Sequence, residues 1–162
     1  KGPKFIFAHF LCPHNPYIFG PNGEKSAIIK NIQLGYKKIY IRQLIYMNKR
    51  VRETIDLILS RPGLPPIIIL QADHGPMSDI GRYLIDEKFI KQSTSIFCAF
   101  YLPNNGKVIL YDSITPVNIF RIIFNHYFGT NYDLLKDENF LSNYIPPYRF
   151  INVTDKLKGS LN

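Results

Sequence analysis

The sequence predicts an α/β fold of three layers, in which helices cover both faces of a mainly parallel sheet. The first observation is an uninterrupted apolar run at residues 67–70, which is typical of a parallel strand buried on both faces. The second is a long helical repeat at about residues 36–61, and the third is an earlier apolar segment at residues 4–11. Strand, helix and strand in this order predict a right-handed βαβ unit whose strands are parallel.

The first part of the chain supplies a strand, a stiff loop and the helix. Residues 4–11 read KFIFAHFL and predict a strand buried on both sides, within which His9 is typical of a satisfied core histidine. The following loop, residues 12–22, carries three prolines and one glycine, which restrict the backbone around His14. Apolar residues then recur at helical spacing until Pro62 and Gly63 end the helix.

The second part predicts shorter elements in sequence order. A helix is expected at about residues 80–90, a third strand at 93–102, a turn at 103–106 and a short edge strand at 107–111. A second helix begins at Pro116 with Thr115 as its cap and stops at Gly129, and His126 on it has aromatic neighbours that favour a structural role. Residues 130–162 predict an extended segment packed by its aromatic side chains.

Length and composition indicate one ordered piece of a globular protein. The chain has 162 residues, with 46% hydrophobic and 14% aromatic content, which is enough to build a core. No apolar run reaches the roughly 18 residues of a transmembrane helix. The start lacks an initiator Met and a signal-peptide pattern, and a chain that opens on a predicted strand indicates a segment of something longer.

The formal net charge of +8 raises the question of a nucleic-acid partner. None is expected, because Lys and Arg are spread along the chain and no nucleic-acid-binding motif accompanies them. A modest concentration occurs on the long helix, at Lys37, Lys38, Arg42, Lys49, Arg50 and Arg52. These residues predict either a solvated basic helix face or a surface that attracts an anionic substrate or lipid headgroup.

Two cysteines, Cys12 and Cys98, lie in apolar surroundings and lack the spacing of metal ligands. Both are predicted to be small buried core residues. The sequon Asn152-Val153-Thr154 matters only for a chain exported by a eukaryote.

The stretch with the clearest chemistry is residues 65–76, PPIIILQADHGP. The predicted strand leads directly into Asp73 and His74, and the ligand crevice of an open α/β sheet lies just past the carboxyl ends of its strands. Gly75 permits a turn that brings both side chains to one site. A carboxylate and an imidazole together favour Zn²⁺ or Mn²⁺, with Mg²⁺ and Ca²⁺ as alternatives that prefer oxygen ligands. The other interpretation is that Asp73 caps a helix starting near Pro76 and that His74 is packed.

Two motifs carry a resemblance to a known family. The string ILQADHGP, with AHFLCPHNPYIF upstream, resembles the sulfatase-like part of the alkaline phosphatase superfamily. The nearest resemblance is to membrane-anchored sulfatase-like proteins akin to phosphoethanolamine and phosphoglycerol transferases. It implies that Asp73 and His74 bind the catalytic metal and that His14 lies near the anionic group of the substrate. A histidine of an exposed surface loop is the alternative for His14.

The resemblance covers residues 4–150 and implies that residues 1–150 are the C-terminal portion of a sulfatase-like catalytic domain, with 151–162 as an extended tail. The implied fold is a partial alkaline phosphatase-like fold, and the implied parent protein is membrane-anchored with an extracytoplasmic catalytic domain. The family's Ser, Thr or modified Cys nucleophile lies upstream of the matched region, so no catalytic nucleophile is expected here and an upstream segment of the same protein is expected to supply it.

These observations lead to two main functional hypotheses and to a third, a nucleic-acid binder that uses the basic helix, for which no motif is present. The first is part of a metal-dependent hydrolase or transferase acting on phosphate or sulfate esters, inactive alone. The second is a non-catalytic sulfatase-like module that binds an anionic glycan or lipid headgroup. The sequence leaves open whether the intact protein is an enzyme.

Overall fold

The computed structural model describes residues 2–26, 34–76, 86–142 and 147–158. The chain divides into two compact units, Lys1–Leu64 and Pro65–Asn162. Among the described residues we number the elements in chain order as α1 (Tyr36–Leu59), β1 (Ile68–Gln71), α2 (Glu87–Thr94), β2 (Cys98–Tyr101), a 3-10 helix (Gly106–Ile109), α3 (Pro116–Phe128), β3 (Phe140–Ser142), β4 (Phe150–Asn152) and α4 (Thr154–Lys158).

The predicted fold class is wrong. Within the described residues the strands form two separate two-stranded antiparallel sheets, β1 with β2 and β3 with β4, instead of one mainly parallel sheet between helical layers. The apolar run before Asp73 was the basis of the parallel prediction, yet none of residues 67–70 is fully buried. An apolar run of four residues suits a half-buried antiparallel strand as well as a doubly covered parallel one, so its composition alone does not determine its partner.

The predicted βαβ unit is also wrong, because residues 4–11 form no strand. Their side chains are exposed, with Phe7 at 80% of its full accessibility. Strand-forming composition supplies no hydrogen-bond partner, and an extended segment becomes a strand only when another strand pairs with its backbone.

Helix α1 confirms the predicted long helix in the Lys1–Leu64 unit. It begins after Gly35, whose φ of 76° is a left-handed conformation that favours glycine, and it ends at Leu59 just before Pro62. Its inner side packs against the proline-rich loop: the Tyr17 ring lies edge-on to that of Tyr40, with centroids 6.2 Å apart. No helix in the described parts of the chain is both long enough and apolar enough to cross a membrane.

The first core of the Pro65–Asn162 unit lies between α3 and the β1–β2 sheet. Ile119, Ile122 and Ile123 of α3 are buried against one face of this sheet, where they meet Ile69 and Phe100. The two strands pair antiparallel from Ile68 opposite Tyr101 to Gln71 opposite Cys98. This core fixes the position at which β1 ends.

A second core joins α2 to the β3–β4 hairpin. Phe89 and Ile90 of α2 pack with Leu141 of β3 and with Val153, which follows β4. Asp86 caps α2 by accepting a hydrogen bond from the Phe89 amide at 2.7 Å. Most of the predicted helix at residues 80–90 lies outside the described residues, and α2 continues to Thr94, into the predicted third strand.

In the second part of the chain, the predicted elements are confirmed where Gly, Asn or Pro residues mark a turn or a helix end. The turn at 103–106 is present, with Asn104 and Asn105 at positive φ, and α3 runs from Pro116 to its stop at Gly129, whose φ is 66°. The predicted edge strand at 107–111 is wrong, since Gly106–Ile109 forms a 3-10 helix. Residues 130–139 form neither helix nor strand, as the extended interpretation predicts, but the same prediction is wrong for the later residues that form β3, β4 and α4. It is also wrong in its packing, since the rings of Tyr132, Phe140, Tyr148 and Phe150 are exposed.

Candidate metal site

The two predicted metal ligands lie in the turn of residues 72–75, here called the Asp-His turn, which directly follows β1. At its start the Ala72 amide donates to the Phe97 carbonyl at 2.9 Å, which extends the β1–β2 pairing. At its end the Gly75 amide donates to the Ser93 carbonyl at 2.8 Å. Because the backbone is anchored on both sides, the two side chains between these bonds are held in a defined place.

Position 75 requires a glycine because there is no room for a side chain, and not because of its backbone conformation. Its φ is not among the positive values of the described glycines, so another residue would not be strained there. It is buried, however, and a Cβ at this position would fall on the carbonyl oxygen of Gln92. The glycine therefore lets the turn lie directly against the last turn of α2, whose carbonyl end carries partial negative charge and favours a nearby cation.

The turn brings the side chains of Asp73 and His74 together. Asp73 Oδ1 accepts a hydrogen bond from the His74 amide at 3.0 Å, and Asp73 Oδ2 lies 3.6 Å from His74 Nε2. His74 Nδ1 lies 2.8 Å from the Gly75 carbonyl oxygen, which can only accept, so Nδ1 carries the proton. Nε2 of the neutral imidazole then presents a lone pair beside a carboxylate oxygen.

This arrangement fits two ligands of one metal ion. A histidine ligand usually donates its second ring N–H to a carbonyl or carboxylate, as Nδ1 does here. For tetrahedral Zn²⁺ with ligand bonds of about 2.0–2.2 Å, two donor atoms lie about 3.4 Å apart, close to the 3.6 Å observed. The Asp73 side chain is 84% exposed and that of His74 38%, so a metal ion and its substrate can reach both.

The pair is incomplete as a metal site. Among the described residues no group of three or more His, Cys, Asp or Glu side chains is placed to hold a metal ion. Structural and catalytic zinc sites use three or four protein ligands. The helix near Pro76 that Asp73 would cap in the alternative interpretation falls at residues 77–85, outside the described residues.

His14, the predicted substrate-binding residue, belongs to the Lys1–Leu64 unit, whereas Asp73 and His74 belong to the other unit. Its side chain is exposed, as the prediction of a loop histidine implies, and Nδ1 lies 2.5 Å from the Asn15 carbonyl oxygen. The backbone of the loop is anchored by the His14 amide, which donates to the Leu11 carbonyl at 2.8 Å. The structure thus holds His14 in an ordered loop with its ring open to solvent.

Sequence reasoning missed Gln43, the residue that holds this loop on α1. Gln43 is fully buried, and its Oε1 accepts from the amides of Ile18 at 2.8 Å and Phe19 at 3.1 Å. Its Nε2 donates to the His14 carbonyl at 3.3 Å. The available signal was an uncharged polar residue between Tyr40 and Leu44, within the apolar side of a helix, where a buried amide must find partners.

The cysteine predictions concern residues outside this site. Both thiols are free and only half-buried, and burial raises the pKa of each. Cys98, partly buried, packs against the core of α3, in agreement with a core role. The prediction is wrong for Cys12, which lies in the proline-rich loop and belongs to neither core.

Comparison with family models, with curated proteins and with solved structures found no match to this chain. The features of this chain that point to a function are the two sequence motifs and the geometry of the Asp-His turn.

Proposed function

We propose that Asp73 and His74 are two ligands of a divalent metal ion, Zn²⁺ or Mn²⁺, in a protein that cleaves or transfers phosphate or sulfate esters. The metal assignment is supported by the 3.6 Å separation of Asp73 Oδ2 and His74 Nε2, with His74 Nδ1 directed to a backbone carbonyl. The ester chemistry is supported by the resemblance of the string ILQADHGP to sulfatase-like proteins. An oxygen and a nitrogen donor together favour these ions over Mg²⁺ or Ca²⁺.

Each residue of the turn has a distinct role. Asp73 contributes negative charge and one oxygen ligand, while its other oxygen accepts the His74 amide and so fixes the carboxylate. His74 contributes Nε2 because its Nδ1 proton is directed to Gly75. Gly75 lets the turn that carries both residues lie against the last turn of α2.

A bound metal supplies charge neutralisation on the ester oxygens and lowers the pKa of a hydroxyl nucleophile. Asp73 and His74 would hold this metal ion, and the remaining ligands and the hydroxyl nucleophile would be supplied from outside the described residues. His14, in the other unit, is proposed separately as a contact for an anionic group. The anionic substrate is drawn to the metal, since an exposed carboxylate alone would repel it.

A second candidate function is a non-catalytic module that binds an anionic glycan or lipid headgroup through the same metal. The two candidates differ in one property: only the first turns over an ester when the complete set of ligands and the nucleophile are present.

The metal assignment is tested by adding Mn²⁺ to the ¹⁵N-labelled 162-residue chain and recording amide spectra. Because Mn²⁺ is paramagnetic, it broadens the amide signals nearest to it even when binding is weak. We expect selective broadening at residues 72–75, and loss of that broadening in Asp73→Asn and His74→Ala. The affinity should be low, since two ligands are fewer than a full site provides.

Matched controls are Asp112→Asn and His126→Ala, which remove an exposed carboxylate and an exposed imidazole elsewhere in the same unit. Both should retain the broadening at residues 72–75. Equal broadening in wild type, Asp73→Asn and His74→Ala would show that neither residue is a ligand.

The substrate assignment is tested by calorimetric titration of p-nitrophenyl phosphate and p-nitrophenyl sulfate into the chain with and without Zn²⁺. Binding of at least one ester should require the metal and should weaken in Asp73→Asn. Ester binding that is independent of both metal and Asp73 would contradict the proposal.

A further inference from the structure

The net charge of the chain is concentrated in one of its two units. Lys1–Leu64 contains eleven Lys and Arg residues against three Asp and Glu, which gives +8 and accounts for the whole net charge. Pro65–Asn162 contains nine of each and is neutral. An electrostatic partner of opposite charge is therefore expected to meet the first unit, where α1 carries the densest set of basic residues.

Helix α1 has one side that its own unit leaves open. We call the outer stripe of α1 the residues at helical spacing on this side, which are Lys38, Ile41, Ile45, Lys49 and Arg52. All five are exposed, with Ile41 at 41% and Ile45 at 51% of full accessibility. The opposite side of α1 carries the buried Gln43 and the ring of Tyr40, which bind the proline-rich loop.

The basic residues of the outer stripe form no salt bridge within the described residues. In the described part of the Lys1–Leu64 unit the salt bridges are Arg42 with Glu24 at 3.3 Å and Arg50 with Glu53 at 2.6 Å. Lys38, Lys49 and Arg52 take part in neither. Asp56 lies one helical turn after Arg52 and lines the same surface depression as Lys49 and Arg52. One carboxylate against the three basic residues leaves this side of α1 with a net positive charge.

We propose that the outer stripe of α1 docks on the surface of a membrane that contains anionic phospholipid. A basic helix with apolar residues between its charges lies in the plane of the lipid headgroups, with its apolar side chains at the acyl boundary and its basic side chains on the phosphates. Ile41 and Ile45 supply the apolar contact and Lys38, Lys49 and Arg52 the charge. The helix lies on the membrane and does not span it.

The two isoleucines favour a membrane over a nucleic acid. Polynucleotides bind basic residues through phosphates and stack their bases on aromatic or Arg side chains, and they gain little from exposed aliphatic groups. Ile41 and Ile45 occupy the middle of the stripe, where stacking side chains would be needed. The proposal is independent of the Asp-His turn, which lies in the neutral unit.

The test is flotation of the 162-residue chain with vesicles of phosphatidylcholine alone and of phosphatidylcholine with about one third phosphatidylserine. We expect binding to the anionic vesicles only, with release at high salt. Lys49→Gln/Arg52→Gln should weaken binding roughly 25-fold, since each basic residue near an anionic surface contributes about a factor of five. Ile41→Ser/Ile45→Ser should weaken it at least about fivefold, because binding also scales with the apolar area that enters the interface.

The matched controls are Lys88→Gln/Lys107→Gln, which removes two exposed charges from the neutral unit, and Ile18→Ser, which removes an isoleucine that is also 51% exposed. Both should bind like wild type, and circular dichroism should show all variants to be folded, since each substituted side chain is exposed. Vesicle binding by both stripe variants at wild-type strength would overturn the proposal. So would tight binding of a 20-residue oligonucleotide that Ile41→Ser/Ile45→Ser leaves unchanged, or a dimer that this variant dissociates.

Discussion

At the scale of single residues, Asp137 connects several polar groups around the start of α3. Its Oδ1 accepts from the amide of Thr115 at 2.7 Å and from the Thr115 hydroxyl at 2.6 Å. Its Oδ2 accepts from the Tyr111 hydroxyl at 2.6 Å. The Thr115 side chain thus binds Asp137 and makes no side-chain cap on its own helix, although it occupies the N-cap position of α3.

The first prediction concerns the stability that this cluster provides. In the wild type the two carboxylate oxygens of Asp137 accept three hydrogen bonds, whereas the side chain of Asp137→Asn has only one oxygen that can accept. We therefore expect the free energy of unfolding to fall by about 2 kcal/mol. Urea denaturation at neutral pH measures the change. The control is Asp133→Asn, an exposed residue in the same segment, which should change stability by less than about 0.5 kcal/mol.

The same carboxylate makes the stability depend on pH. Burial by itself raises the pKa of Asp137, but the hydrogen bonds from Thr115, Tyr111 and Asn118 outweigh it and hold the pKa below the ordinary value of 3.8. A folded pKa lower than the unfolded one stabilises the protein above pH 3.8, and this contribution is lost as the pH falls through the folded value. The difference between wild type and Asp137→Asn should therefore shrink below about pH 3.8; a difference independent of pH would contradict the assignment.

At the scale of secondary-structure elements, polar side chains at helical spacing attach irregular segments to helices. Asn118 and Asn125 of α3 each bind the backbone of residues 130–139 through both the oxygen and the nitrogen of the side-chain amide. Asn118 Oδ1 accepts from the Leu135 amide at 2.9 Å, and its Nδ2 donates to the Leu135 carbonyl at 2.8 Å. Asn125 Oδ1 accepts from the Tyr132 amide at 2.8 Å, and its Nδ2 donates to the Tyr132 carbonyl at 2.9 Å. Arg121, between them on the helix, donates to the Asp133 carbonyl at 3.0 Å. The extended segment therefore has a fixed path without forming a helix or a strand.

The second prediction tests the contact between the Asp-His turn and α2. In Gly75→Ala the new methyl group meets the Gln92 carbonyl, so the turn must move away from the helix. We expect a loss of about 1–3 kcal/mol in stability, typical of an overpacked site, and weaker Mn²⁺ broadening at residues 73 and 74. Gly2→Ala is the control, because its new Cβ has no atom within 4 Å.

Unchanged stability and unchanged broadening in Gly75→Ala would show that the turn does not depend on its contact with α2. Unchanged broadening with lower stability would show that the ligand pair tolerates the shift, and the requirement for glycine would then concern folding alone.

Sequence patterns predicted the elements whose signals are local. The long helical repeat gave α1, and Pro116 with Gly129 gave the bounds of α3. The pairing of strands was not predictable in this way, since residues 72–97 separate β1 from β2 in the sequence. Nothing in the apolar run specifies the direction of its partner strand. The place of the Asp-His turn was predicted from the end of that strand, whereas its contact with α2 depends on tertiary packing that no short motif encodes.

At the scale of the whole molecule, the chain separates a basic unit from a neutral one that holds the candidate ligands. His14 and the outer stripe of α1 belong to the first, and the Asp-His turn belongs to the second. In the two proposals the units have different tasks: the first unit docks on an anionic membrane surface, and the second contributes two ligands to a metal ion.

The last prediction is that the 162-residue chain alone does not turn over an ester. Transfer through a covalent intermediate needs a hydroxyl within reach of its activator, and the described hydroxyls beside Gly75 are otherwise engaged: those of Ser93 and Thr94 donate to the Ile90 carbonyl and that of Ser95 to the Lys91 carbonyl. We therefore expect no metal-stimulated release of nitrophenol from p-nitrophenyl phosphate or p-nitrophenyl sulfate. Saturable release that Asp73→Asn abolishes and Asp112→Asn retains would show that these residues contain a complete site and that the nucleophile lies within the chain.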